Sequence, residues 1–166
     1  MKETTLQGAS LKNNKTSFCV HAPNAKKVEL SLFSEDEQKE IKIPMQKDEE
    51  GCWHKELDGN LEGQKYGYRA DGQYNPDELL FFNPNKLLVD PYAFEITKSL
   101  HNITTLEKEI LQASNPLDSA SVAPKSIVRF LDKNSLSKKY PYLYKKILII
   151  LCFQFFLSYH HKITNF

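Results

Sequence analysis

Three carboxylates stand where the chain is expected to turn: Asp71 before Gly72, Asp90 before Pro91 and Asp118 before Ser119. Two positioned carboxyl groups could share acid–base work. An Asp beside Gly, Pro or Ser is better accounted for as a cap on its own turn, because its short side chain accepts from nearby backbone N–H groups. No catalytic residue is assigned. Cys19, Cys52 and Cys152 are far apart in the chain, with no Cys-x-x-Cys pair, which argues against a disulfide scaffold and against structural zinc. Of His21, His54, His101, His160 and His161, only the terminal pair has ligand-like spacing. No metal and no cofactor is expected. Trp53, the only tryptophan, is in phase with Leu57 and reads as core rather than as an exposed platform, and His54 on the opposite face reads as solvated.

The elements that must position these side chains are short strands. Thr16–His21 alternates with Phe18, Val20 and Ala22 on one side, then turns at Pro23-Asn24. Lys27–Phe33 sets Val28, Leu30 and Leu32 against Glu29 and Ser31. Ile41, Ile43 and Met45 alternate with Lys42 and Pro44, and that proline marks an edge. Cys52–Leu57 and Tyr66–Ala70 complete five strands spaced roughly every ten residues, the pattern of a β-sandwich rather than of βαβ units. Its core is expected to hold Val28, Leu30, Leu32, Ile41, Ile43, Trp53, Tyr66 and Tyr68. Asp71-Gly72 ends the fifth strand, and Pro76, Pro84 and Pro91 stiffen the long segment that follows. That segment carries too many apolar side chains for a solvated loop. Farther on, Leu106, Ile110 and Leu111 have helical spacing over Thr104–Gln112, with Thr104 or Thr105 as N-cap.

The chain has 166 residues, with 22 basic against 21 acidic side chains and a net charge of +1. That balance gives no case for nucleic acid or an anionic membrane as partner. A (β/α)₈ barrel needs about 250 residues and does not fit. The first twenty residues lack the apolar run of a signal peptide, so a reducing cytoplasm is the expected setting.

Four stretches carry a family resemblance. Tyr66-Gly67-Tyr68-Arg69, followed by Phe82-Asn83-Pro84-Asn85-Lys86-Leu87-Leu88-Val89-Asp90-Pro91-Tyr92-Ala93, resembles the N-terminal region of isoamylase-type glycogen debranching enzymes of the alpha-amylase superfamily. Phe18–Ala25 and the pair Trp53-His54 are similar to the same region. The resemblance, over roughly Leu6 to Val128, implies an immunoglobulin-like antiparallel β-sandwich, a carbohydrate-binding module of family forty-eight that precedes a catalytic barrel. It implies an accessory domain, inactive alone, whose full-length relatives hydrolyse α-1,6 branch linkages in glycogen or related glucans. In glycogen-binding relatives a Lys on the strand and a Trp in an Asp-Gly-Gln-Trp turn contact sugar. Here the turn is Asp71-Gly72-Gln73-Tyr74, so Tyr74 is the α-glucan contact candidate, while the lysine position falls on Gly67. The resemblance also implies that Phe82, Asn83, Pro84, Leu87, Leu88, Asp90, Pro91 and Tyr92 face the barrel. With that partner absent, Phe81, Phe82, Leu87 and Leu88 are expected to form an apolar patch.

The expected organisation is a sandwich over 1–95, a linker toward the barrel over 96–130, and an aberrant basic and apolar tail over 131–166. The tail holds Ile147–Leu157, eleven residues against the roughly 20 needed to span a bilayer. A frame change or premature stop is the leading explanation of the tail, followed by a membrane anchor that would make the chain a tethered interaction protein, and then a buried element. A self-standing α-glucan-binding module is the other functional alternative.

Overall fold

A computed structural model describes residues 7–99 and 103–130. The tail, with Cys152, His160, His161 and Ile147–Leu157, and also His101, lie outside the described residues. No helix among the described residues is long and apolar enough to cross a membrane.

Two antiparallel sheets make a β-sandwich. The first has the order β1 (Gly8–Lys12), β2 (Lys15–His21), β6 (Cys52–Asp58), β5 (Gln46–Lys47). The second has the order β10 (Glu95–Ile96), β11 (Ser126–Ile127), β7 (Lys65–Asp71), β3 (Lys27–Phe33), β4 (Glu40–Pro44). A separate two-stranded ribbon joins β8 (Tyr74–Asn75) to β9 (Leu80–Phe81) around a 3₁₀ turn over Pro76–Glu78. A short helix, α1 (Thr105–Leu111), starts at Thr104, whose hydroxyl accepts from Glu107 N–H while the Glu107 carboxylate accepts in return, a capping box.

The core is where the two inner faces meet. Phe18, Val20 and Trp53 from the first sheet pack on Val28, Leu30, Tyr66, Tyr68 and Ala70 from the second. Each large side chain so buried contributes about 1.5–3 kcal/mol. Phe18 and Tyr66 meet edge to face with centroids 5.0 Å apart, an arrangement aromatic quadrupoles favour. Trp53 is buried, and its indole N–H donates to Ala22 O at 2.9 Å. Ile41 departs from the expected core: it is 64% exposed. It stands opposite Leu32 on edge strand β4, itself only half-buried.

Two parts of the segment expected as linker belong to the second sheet. Ser126 pairs with Tyr66 and with Ile96, and Val128 is fully buried in the core. The free edge of β7 is thus filled at its start by β11. Farther along it is filled by Leu88, which exchanges two 2.8 Å backbone hydrogen bonds with Tyr68. That leaves no long unpaired edge on β7 to template association with another chain.

Candidate carbohydrate-binding face

Tyr74 opens the β8–β9 ribbon, three residues after β7 ends. The ribbon is short, so its geometry rests on local caps. Asn75 Oδ1 accepts from Asp77 N–H at 3.2 Å, and Leu79 closes the 3₁₀ turn in the left-handed region at φ 58°. Tyr74 pairs with Phe81, and their rings meet edge to face at 6.1 Å. Tyr74 is 46% exposed, and its ring is braced edge to face by Phe81. Phe82 follows, packed against Gly72: a Cβ on that glycine would fall 2.7 Å from the Phe82 ring. The absence of a side chain at residue 72 lets the ribbon fold back onto the end of β7. A shallow depression elsewhere on the surface is ringed by Ser34, Glu35, Asp36 and Lys39 and presents no aromatic side chain.

Gly67 has no space for the lysine that the resemblance implied at this position. A Cβ at this position would lie 2.8 Å from Leu87 Cδ1 and 2.9 Å from Leu88 O. Leu87 is buried with Phe33 and Ala123, and Leu88 packs against the main core. The expectation of Phe81, Phe82, Leu87 and Leu88 as an exposed apolar patch is therefore corrected. Leu87 is inside the fold and the other three are half-buried, because the segment turns its apolar residues back onto β3 and β7.

The remaining residues singled out along this segment sit in a polar clamp. Asp90 is buried, and its Oδ2 accepts from Tyr66 Oη–H at 2.8 Å and Tyr68 Oη–H at 3.1 Å. Its Oδ1 accepts from Tyr92 N–H at 2.8 Å, and its own N–H donates to Ser126 Oγ at 2.9 Å. Burial drives the Asp90 carboxyl above the usual range, against the pull of these donors. Burial and the neighbouring Asp90 charge likewise hold both tyrosine hydroxyls protonated. Asp90 therefore joins two strands and a loop as well as capping its own turn. Asn83 Nδ2 donates to Ala113 O and Asn115 O, and Pro84 O accepts from Arg69 Nη1. Tyr92 is 44% exposed and Pro84 is exposed, whereas Phe82, Asn83, Leu88 and Pro91 are half-buried.

Three buried cations fasten the region after β10 to the sandwich. Arg69 reaches Glu40 at 2.6 and 2.9 Å and Asp118 at 2.9 Å. Lys86 Nζ donates to Ile110 O and Leu117 O, and Lys125 Nζ bonds Ala120 O and Ala123 O and pairs with Glu37 at 2.9 Å. Asp118 also caps its turn as expected, accepting from Ala120 N–H.

One grouping escaped the sequence. Cys19, Cys52 and His54 lie together where β2 pairs with β6, with one donor atom from each all within 4.8 Å of one another. The reading of His54 as merely solvated is corrected as well: its Nε2 is 2.7 Å from Asp48 Oδ2. Burial, with Cys52 and Asp48 beside it, pushes the Cys19 thiol up to about 12. Spacing along the chain gives no hint of this cluster, since only the β2–β6 register makes Cys19 and His54 neighbours.

The described chain is thus a two-sheet β-sandwich that carries an exposed aromatic residue, Tyr74, on a ribbon at its margin. The sequence pattern of carbohydrate-binding module 48 (isoamylase N-terminal domain) matches residues 5–93, more than half of the chain, and the chain belongs to that family. It is 39% identical over 124 residues to the glycogen debranching enzyme of Yersinia enterocolitica, an alignment covering 75% of this chain and 18% of that protein. It is 33% identical over 134 residues to the glycogen debranching enzyme of Pectobacterium atrosepticum, covering 81% and 20%. The chain thus spans about a fifth of the length of these curated relatives. Among solved structures, a ligand-free PulA from Klebsiella pneumoniae is 33% identical over 54% of this chain and 8% of that one, with a TM-score of 0.46.

Proposed function

We propose that the chain is the α-glucan-binding accessory module of a glycoside hydrolase that debranches glycogen. Tyr74 supplies the sugar-stacking surface. The segment from Phe82 to Tyr92 seats the module on the catalytic barrel of such an enzyme. Family membership and the naming of the curated relatives support the enzyme class. The observation that carries the binding role is the Tyr74 ring, half-exposed and held edge-on by Phe81. An apolar ring face held in place loses little freedom when it stacks on a sugar. The same logic supports the docking role. Asp90 and Asn83 hold the segment rigid from beneath, while Pro84 and Tyr92 stay exposed on its outer side. The module itself contributes binding and not bond cleavage, and the expected setting is the cytoplasm.

Affinity electrophoresis tests the binding role. The chain should migrate more slowly in a gel containing glycogen than in one without, and Tyr74→Ala should remove most of that retardation. Equal migration of the unsubstituted chain in both gels contradicts the reading.

A further inference from the structure

The Cys19–Cys52–His54 cluster sits on the β2–β6 pair, whereas Tyr74 is on the β8–β9 ribbon, and the function proposed above does not use these three side chains. Its geometry follows from one strand pairing. In the β2–β6 ladder Cys19 stands directly opposite His54, and Cys52 lies two residues before His54 on the same strand. Residues two apart on a strand share a face, so all three side chains project from one side of the sheet. Phe18 and Val20 take the opposite side and fill the core. Cys19 is nonetheless buried, while Cys52 and His54 are half-buried. Its partner on β1 is Gly8, and Tyr92 Cβ lies against that glycine. The cluster is therefore closed on the Cys19 side and open to solvent on the His54 side.

Two chemistries suit a pair of thiols, and the register separates them. Cys19 and Cys52 are diagonal neighbours, a relation that puts Cα atoms roughly 7–8 Å apart in an antiparallel pair. A disulfide needs about 4.4–6.8 Å. A bridging ion does not. Tetrahedral zinc with S at about 2.3 Å and N at about 2.0 Å holds its donors some 3.5–3.8 Å from one another. The three donors lie within 4.8 Å of each other, so about 1 Å of side-chain adjustment closes them on an ion.

The surroundings of His54 fit the same chemistry. Its Nε2 faces Asp48 Oδ2 at 2.7 Å, which leaves Nδ1 as the ligand nitrogen. Asp48 is itself fixed, because its Oδ1 accepts from Glu50 N–H and Cys52 N–H at 2.9 Å each. A carboxylate that orients a ligating imidazole is the usual outer-shell partner in zinc sites. We propose that Cys19, Cys52 and His54 form a binding site for a thiophilic divalent cation of the zinc class, with Asp48 orienting the imidazole and a fourth position open to solvent. On binding, each thiol gives its proton to solvent as its sulfur–metal bond forms. Two thiolates and a neutral imidazole then balance the dication. The ion ties β2 to β6 and adds its binding free energy to the stability of the first sheet.

Cobalt substitution tests this. The full chain, reduced and freed of metal, is titrated with Co²⁺, Zn²⁺ then competes, and Trp53 emission confirms folding throughout. The proposal expects one Co²⁺ per chain, with a sulfur-to-cobalt charge-transfer band in the near ultraviolet that Zn²⁺ abolishes. Cys152→Ser should leave the band intact. Cys52→Ser and His54→Ala, both at half-buried positions, should each weaken binding by tenfold or more, and Asp48→Asn by less. A folded chain with no charge-transfer band at millimolar Co²⁺ overturns the proposal. So does a band that survives Cys52→Ser, or a Cys19–Cys52 disulfide as the stable form in the presence of Zn²⁺.

Discussion

Leu87 occupies the space that a side chain at Gly67 would need: a Cβ there would lie 2.8 Å from Leu87 Cδ1. The two residues face each other because Leu88 pairs with Tyr68, which draws the Phe82–Tyr92 segment alongside β7. Packing in this module thus leaves no room for a lysine side chain at residue 67.

Substitution at Gly67 is therefore expected to cost stability. Gly67→Ala overpacks against Leu87 and the Leu88 carbonyl and should lower unfolding free energy by about 1–3 kcal/mol. Gly67→Lys should cost at least as much. Urea titration followed by Trp53 emission measures both. A neutral or stabilising Gly67→Lys would show that the segment yields easily.

Asp90 is expected to be costly to remove. Asp90→Ala leaves the Tyr66 and Tyr68 hydroxyls buried without their acceptor, at about 1–3 kcal/mol each. Tyr66→Phe and Tyr68→Phe in the same chain should recover part of that loss. A double-mutant cycle by urea denaturation reads the coupling, expected within about 0.5–3 kcal/mol; strict additivity would contradict the clamp.

Acid stability has two opposing parts. Burial alone would raise the Glu40 and Asp118 carboxyls. Hydrogen bonds from Arg69, together with the Ala120 N–H for Asp118, hold both below their ordinary values of 4.5 and 3.8. Their contribution is complete above those values and is lost as pH falls through the lowered ones. Asp90 has the reverse sign: its carboxyl is raised above 3.8, so its contribution is complete below that value and is lost as pH rises through the folded one. Stability should fall on acidification below about pH 4, an expectation from reference carboxylate values. Glu40→Gln should flatten that limb and Asp90→Asn should steepen it, as thermal melts across the acid range will read.

The fold was legible where side chains alternate over five or more residues. β2, β3, β4, β6 and β7 all appear as read, and so does the capped start of α1 at Thr104. β5 and β8 to β11 are two residues each, too short for any period to register. β1 escaped because Gly8–Lys12 offers only Ala9 and Leu11 as apolar side chains, too few to mark a face, although Asn13 and Asn14 hold the left-handed pair of a tight hairpin, at φ 52° and 56°. Asparagines at both positions are the local signal that could have revealed it. Ile41 was placed in the core because alternation marks a face and not how far the opposite sheet extends to cover it. The cysteine–histidine cluster depends on a register between residues more than thirty apart, which local pattern does not encode.

A sugar titration watched by amide NMR tests the glucan-binding claim most directly, with maltoheptaose added to the labelled chain and to its Tyr74→Ala variant. The account predicts saturable shifts concentrated at Tyr74, Phe81 and Phe82, and an affinity at least tenfold weaker in the variant, about 1.4 kcal/mol. Shifts centred elsewhere on the sandwich, or equal affinity in the two chains, would contradict it.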